Sequence, residues 1–410
     1  MEEIRNTLRS VEEVTGAKPA LIYVRFAPPT VGVPSRSVSN VQPTQASALE
    51  NPDDQLELLL VTSQGKPIRL SVDATRAEVL PVARQLRVDI TTPRSRRFNT
   101  KPYLDSAQQL YQWLVAPLEM ELQEREVDNL VFVFDRGLRS LPTAALHDGD
   151  RFLVEKYSVG VMPSLALTDT NIVPLEDVKI LAMGASEFAQ FEPLPAVRLE
   201  ISAITDQPLT GVSYINAGFT RQNLETARSL TPYGIVHLAT HAEFVGGSIE
   251  NSFIQLWQNP HTETDQNQDS ASRLYLDELR ELNWNDPPVE MLVLSACRTA
   301  IGDENAELGF VGLAVQAGVK TAVGSLWYVD DAGTLALMRA FYQRLPNANI
   351  KAEALRQAQL EMISGKMRLE DGTLTGSFGS VDLPPPLNNL SVDLSHPYYW
   401  SSFTMIGNPW

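Results

Sequence analysis

The chain has 410 residues, 43% apolar and 20% charged, values that supply a full core and exclude an intrinsically disordered chain. A formal net charge of −17 repels phosphate backbones and anionic leaflets, which excludes nucleic acid and membrane surfaces as expected partners and favours a basic protein on encounter. The single cysteine, Cys297, excludes an intrachain disulfide and fits a reducing compartment.

The N-terminal stretch MEEIRNTLRSVEEV is charged and helical in pattern, without the basic-then-apolar layout of a signal peptide. Short β-rich runs follow at Leu21 to Phe26, Leu56 to Val61 and Pro67 to Val72. The stretch between the first two is rich in Pro, Ser, Gln and Asn and reads as a loop or inserted arm. A helix is expected near Ser106, where Leu110, Tyr111, Leu114 and Leu118 recur at helical spacing. A buried strand at Leu130 to Phe134 then runs into the polar turn Asp135-Arg136-Gly137.

From Val178 onward apolar strands alternate with helices. The strand runs are Val178 to Met183, Gly234 to Ala239, Met291 to Ser295, Thr321 to Leu326 and Phe403 to Ile406. The helix runs are Leu194 to Thr205, Gln222 to Ser229, Leu308 to Ala317, Gly333 to Arg344 and Ile350 to Ser364. This pattern predicts an α/β fold with a largely parallel sheet covered by helices on both faces. Ligands of such sheets bind beyond the carboxyl ends of the strands. The polar segments 261–272 and 369–395 read as loops. The boundary between two lobes is expected near Asn171 to Asp177, giving lobes of 1–172 and 173–410. The longest apolar region, Gly309 to Trp327, is broken by Gln316 and Lys320 and reads as helix, turn and strand rather than a membrane span. A soluble cytoplasmic protein is the expectation.

Two strand ends carry candidate chemistry. Ile235 to Ala239 delivers His241 and Leu292 to Ala296 delivers Cys297, and the two lie 56 residues apart. Parallel strands joined by one crossover bring both tips to one edge, where an imidazole can take the proton of an attacking thiol. A lone cysteine after an apolar strand is otherwise a small buried residue. His237 and His241 have the i, i+4 spacing of a zinc pair, but the run favours a strand and no Glu follows His237, so His237 reads as a core histidine or as one that supports the site residues from behind, and no metal is expected. Asp265 to Asp269 opens like a calcium loop. Ser270 and Leu276 stand where Gly and Glu belong, so that match fails. There is no P-loop, no dinucleotide-binding glycine fingerprint and no Gly-x-Ser-x-Gly elbow.

The runs VHLATHAEF, LVLSACRTAIGD, ELGFVGLAVQAGVKTAVGSLWYVDDAGT and HPYYWSSFTMIGNPW resemble the CHAT family, caspase-like clan CD proteins often fused behind TPR repeats. The upstream runs SAQQLYQWLVAPLE, NLVFVFDRGLRSLPTAALHDGDRFLVEKYSV and LPAVRLEI extend the resemblance over roughly residues 18–410. The wording looks closest to cyanobacterial members, including the HetF type of heterocyst differentiation. The resemblance implies the fold shared with caspases, metacaspases and separase, with a first lobe that is a degenerate, non-catalytic partner of the second. It implies His241 as base and Cys297 as nucleophile, with no cofactor. It also implies an oxyanion hole from backbone N–H groups, here those of Ala242 and Cys297, although members of this fold usually carry Gly where this chain has Ala242.

Acidic residues crowd the expected active edge. A carboxylate in the first specificity pocket would select Arg or Lys before the cut bond, with Asp331 foremost and Asp330, Glu243 and Asp303 beside it. The same acids also read as solvated rim charges or helix caps. The expected function is an endopeptidase acting on a specific protein partner under control of a TPR or other regulatory module. A catalytically silent scaffold, and an amidase or acyltransferase using the same dyad, are the alternatives. The 261–272 and 369–395 segments are the candidates for ordering on activation.

Overall fold

The apolar runs form seventeen strands among the described residues. In chain order they are β1 (Pro19–Ala27), β2 (Gln55–Thr62), β3 (Ile68–Thr75), β4 (Asn129–Phe134), β5 (Ser158–Val161), β6 (Ile180–Gly184), β7 (Gly211–Ile215), β8 (Ile235–Ala239), β9 (Ala242–Glu243), β10 (Phe253–Gln255), β11 (Arg273–Tyr275), β12 (Met291–Ser295), β13 (Thr321–Ser325), β14 (Arg368–Glu370), β15 (Thr373–Gly376), β16 (Gly379–Asp382) and β17 (Phe403–Gly407). The computed structural model describes residues 1–29, 51–98, 100–175, 178–205, 209–245, 249–261, 272–296 and 309–410. The expected arm between β1 and β2 and most of the 261–272 segment lie outside them.

Eleven strands make one sheet in the order β3-β2-β1-β4-β5-β17-β13-β12-β8-β6-β7. Strands β6, β8, β12 and β13 run parallel to their neighbours in this group, and every residue in them is buried. That explains their largely apolar sequences, because helices cover both faces and leave no wet side to alternate with; the polar exceptions, His237, Ser295, Thr321 and Ser325, are buried as well. The helix Arg76–Thr91 is opened by a capping box in which the Thr75 N–H donates to Glu78 Oε2 at 2.8 Å. In the helix Asp331–Arg344, Leu335, Met338, Phe341 and Tyr342 are all buried, as their spacing predicts. Among the described residues no helix is long and apolar enough to cross a membrane.

The last strand joins the two halves of the chain. β17 lies antiparallel to β13 and meets β5 in parallel at Ile406↔Val161, so the sheet continues across the expected lobe boundary. The tail is pinned there: the Trp410 indole donates to Asn129 Oδ1 at 2.9 Å, and Asn408 Nδ2 donates to the Asp169 carbonyl at 2.9 Å. Trp410 is buried, and its removal opens a large cavity and takes from Asn129 Oδ1 the indole N–H it accepts from. Trp410→Ala is therefore expected to cost about 3–5 kcal/mol, seen as a lower denaturant midpoint with both halves unfolding earlier.

Two expectations are corrected. The helix expected from Leu194 begins at Val197; Leu194 precedes Pro195, whose ring disfavours helical backbone at the residue before it. The 369–395 segment is not all loop. It opens with a three-stranded meander, β14-β15-β16, begun by β14 at Arg368. In it Glu370 faces Thr373 across the two-residue turn Asp371-Gly372, both at positive φ (48° and 73°), the Asp-Gly hairpin pattern. Each strand has only three or four residues, too short for its buried Leu369 or Leu374 to show as a periodic pattern.

Candidate active site

The site lies beyond the carboxyl ends of β8 and β12. Their parallel register sets Ala239 opposite Ser295, and the Thr240 N–H donates to the Ser295 carbonyl at 3.2 Å. His241 is the second residue past the end of β8. Cys297 is the second past the end of β12, and both it and Asp303 lie outside the described residues. Short side chains brace the strand tips: Ser325 Oγ donates to the Ala296 carbonyl at 2.7 Å and Thr240 Oγ1 to the Gln255 carbonyl at 2.5 Å.

His241 is held by the segment that follows β6. Its Nε2 lies 2.8 Å from the Glu192 carbonyl. A carbonyl can only accept, so Nε2 carries the hydrogen and the neutral ring keeps its lone pair on Nδ1. Phe191 stacks on the ring at 5.1 Å and 22°, and Phe188 meets it edge-on at 4.7 Å. Burial lowers the pKa of His241 below the usual imidazole range, opposed by the bond to Glu192. The ring is therefore neutral and able to accept a proton at neutral pH.

A small cavity opens under the strand tips. Leu194, Val197, Val329 and Phe403 give it apolar walls, while Ser295, Ser325, Glu200 and Asp331 give it polar ones. Glu200, almost fully buried, accepts from Ser295 Oγ at 2.6 Å. Its Oε1 also faces His237 Nε2 at 3.0 Å. His237 is wholly buried, with Nδ1 3.1 Å from the Tyr342 hydroxyl, which is the core placement expected for it. Among the described residues no cluster of three or more His, Cys, Asp or Glu is arranged to hold a metal ion.

Asp331 points across the cavity mouth and accepts from the Ala196 N–H at 2.6 Å. Burial pushes its pKa up to about 7; the Ala196 N–H opposes the shift, and Glu200 and Asp330 add to it. An acid with a raised folded-state pKa holds its proton longer in the folded chain. Its contribution to stability is complete below the unfolded value of about 3.9 and is lost as the pH rises through the folded one. Asp331→Asn keeps the acceptor for Ala196 and removes the buried charge. It is expected to raise the melting temperature at pH 8 and leave it unchanged at pH 3.5, as read by thermal melts at the two pH values.

The other predicted acids are placed differently. Asp330 is the N-cap of the helix Asp331–Arg344, accepting from the Gly333 N–H at 2.8 Å, and does not line the cavity. Glu243 is exposed on β9 opposite Phe253, and Ala242 pairs with Ile254. Sequence reasoning missed Glu200, Ser295, Ser325 and the Phe188, Phe191 and Glu192 strap. For Glu200 a signal existed: Val197, Ile201 and Ile204 are buried on one face of its helix and Glu200 falls on that face.

Residues 104–408 match the profile of the CHAT domain. No curated protein sequence matches the chain. Among solved structures the fold is similar to that of Saccharomyces cerevisiae separase in a separase–securin complex. The TM-score is 0.54 at 10% identity, over 100% of this chain and 31% of that one. The chain thus spans under a third of the separase chain's length. The Arg-specific cysteine proteinase gingipain R aligns at a TM-score of 0.43 and 12% identity, over 74% of this chain and 67% of that one. The separase likeness shows a shared caspase-like α/β fold.

Proposed function

Because the chain belongs to the CHAT family, we propose that it is a cysteine endopeptidase that cuts a protein partner after Arg or Lys. The observation that carries this reading is the β8–β12 register, which sets the strands leading to His241 and Cys297 side by side. In the proposed reaction Cys297 Sγ attacks the scissile carbonyl carbon and His241 Nδ1 takes the thiol proton. The N–H groups of Ala242 and Cys297 hold the resulting oxyanion. Collapse breaks the C–N bond, the leaving amine takes the proton from His241, and a thioester remains. Water then attacks the thioester, with His241 accepting its proton and returning one to the thiolate. The Glu192 carbonyl and the stacked Phe191 support this cycle by keeping Nδ1 as the basic nitrogen and by steadying the imidazolium as it forms.

Asp331 and Glu200, both lining the cavity under the strand tips, support a site for a cationic side chain; the cavity itself has room for about one water, so the cation is proposed to sit at its mouth beside Asp331. The proposed division is a catalytic lobe of residues 173–410 and a non-catalytic partner lobe of 1–172, which contains no cysteine. By likeness to separase in its complex with securin, a protein partner or a TPR-type module is the proposed source of control. Incubation with fluorogenic tetrapeptides that differ only at the residue before the scissile bond tests the reading. Release from Arg and Lys peptides, and not from Asp or Leu peptides, is expected. Release from neutral peptides alone would discard Asp331 as selector, and release from none, with an inert thiol, would favour a silent scaffold.

A further inference from the structure

The segment 325–331 divides two spaces. Ser325, Val329 and Asp331 line the cavity described above, while Leu326, Trp327 and Tyr328 line an open groove of about 350 Å³ on its other side. The opposite wall of that groove is Arg87, Thr91 and Arg96, from the helices Arg76–Thr91 and Pro93–Phe98. These residues belong to a basic stretch: residues 84–101 carry Arg84, Arg87, Arg94, Arg96, Arg97 and Lys101 against one acid, Asp89. In a chain of net charge −17 such a concentration reverses the field locally.

The groove is built rather than incidental. Tyr398 forms its floor, stacked at 24° with Trp327, and the Trp327 indole donates to the Tyr398 carbonyl at 3.0 Å. The Tyr398 hydroxyl donates to the Tyr328 carbonyl, which fixes the segment that also carries Asp331. The Arg96 guanidinium lies 3.8 Å over the Tyr398 ring, with its Nε buried and without a hydrogen-bond partner among the described residues. Arg96 also donates to the Tyr399 hydroxyl, and its charge draws the Asp330 carboxyl back from the rise that burial gives it; Asp330 is already engaged as a helix cap. A half-buried guanidinium with one unmet donor, flattened on an aromatic ring, is shaped to receive a planar carboxylate.

We propose that this groove binds an acidic side chain, Glu or Asp, of the protein substrate, within a few residues of the one held at the cavity mouth. The word substrate rests on the peptidase reading above; the binding itself does not. A nucleic-acid strand would find the same arginines and aromatic rings, but the chain's overall charge opposes a phosphate backbone. A carboxylate on a peptide presents one charge to the one basic wall.

The test is fluorescence anisotropy at low salt with labelled octapeptides of alternating Gly and Glu, Gly and Gln, or Gly and Lys, and with octauridylate. None of the first two has a basic residue to cut, so an inert Cys297 cannot affect the result. The Glu peptide is expected to bind at least about tenfold more tightly than the Gln peptide, the scale of one charge-assisted contact. Arg96→Gln should remove about tenfold of that affinity. Tyr328→Ser, at a residue 58% exposed and so tolerable to the fold, withdraws a phenol O–H donor from the groove and should remove about threefold of it. Arg94→Gln, exposed on the same short helix and outside the groove, should leave it intact, and thermal melts check that each variant folds. Equal weakening by Arg94→Gln and Arg96→Gln, equal binding of Glu and Gln peptides, or tighter binding of octauridylate would each overturn the proposal. Cleavage of basic peptides with no preference for a nearby acid would overturn its link to the substrate and leave the peptidase reading standing.

Discussion

Cys297→Ala is expected to lower kcat/KM for peptide cleavage by about 10⁴-fold or more, and His241→Ala by about 10²–10⁴-fold. The asymmetry follows from their proposed roles. Without the thiol no thioester forms, whereas without the imidazole a fraction of thiolate still attacks at neutral pH. The double variant should be no worse than Cys297→Ala alone, since residues that act as one unit do not add. Steady-state hydrolysis of a fluorogenic Arg peptide measures all three. A His241→Ala chain that keeps wild-type activity would remove the imidazole from the reaction and with it the argument from Glu192 and Phe191.

The second large effect concerns the cavity. Asp331→Asn is expected to lower kcat/KM for an Arg peptide by about 100-fold or more, the scale of breaking one desolvated charge pair, and to leave a Leu peptide unchanged. The pH dependence gives the same residue a second signature. Because the Asp331 pKa stands near 7, activity on Arg peptides should fall as the pH drops through neutrality, when the carboxyl takes up its proton. The lowered pKa of His241 places its own protonation below the usual imidazole range, so a neutral peptide should hold its rate to lower pH. In Asp331→Asn the two profiles should coincide. Profiles of kcat/KM between pH 5 and 9 read both outcomes, and a steep acid limb that survives in Asp331→Asn would assign it to another group.

The parallel half of the fold was legible because burial on both faces leaves strands such as Met291 to Ser295 and Thr321 to Ser325 mostly apolar, with small polar residues only at their ends. The strand ends that precede His241 and Cys297 in the sequence were legible for the same reason. The meander was not, since its strands offer at most one buried residue each, none in β16, and the Asp371-Gly372 turn was the strongest local signal. The cavity's carboxylates were half legible. Asp331 stood out by its place in an acidic run, although its neighbour Asp330 proved to be a cap. Glu200 is 95 residues from the Ser295 it meets, and no local pattern states that distance. The basic groove joins residues 87–96 to residues 326–398, a pairing that exists only once β17 has drawn the two halves into one sheet.

The proposed chemistry requires His241 to activate Cys297, and the chain's single cysteine makes that directly measurable. Alkylation by iodoacetamide at neutral pH, followed by mass spectrometry, reports one thiol without ambiguity. The wild-type rate is expected to exceed that of His241→Ala by about tenfold or more, with reactivity extending below the ordinary thiol pKa of about 8.5. Equal rates in the two chains, both following an unassisted thiol, would contradict it.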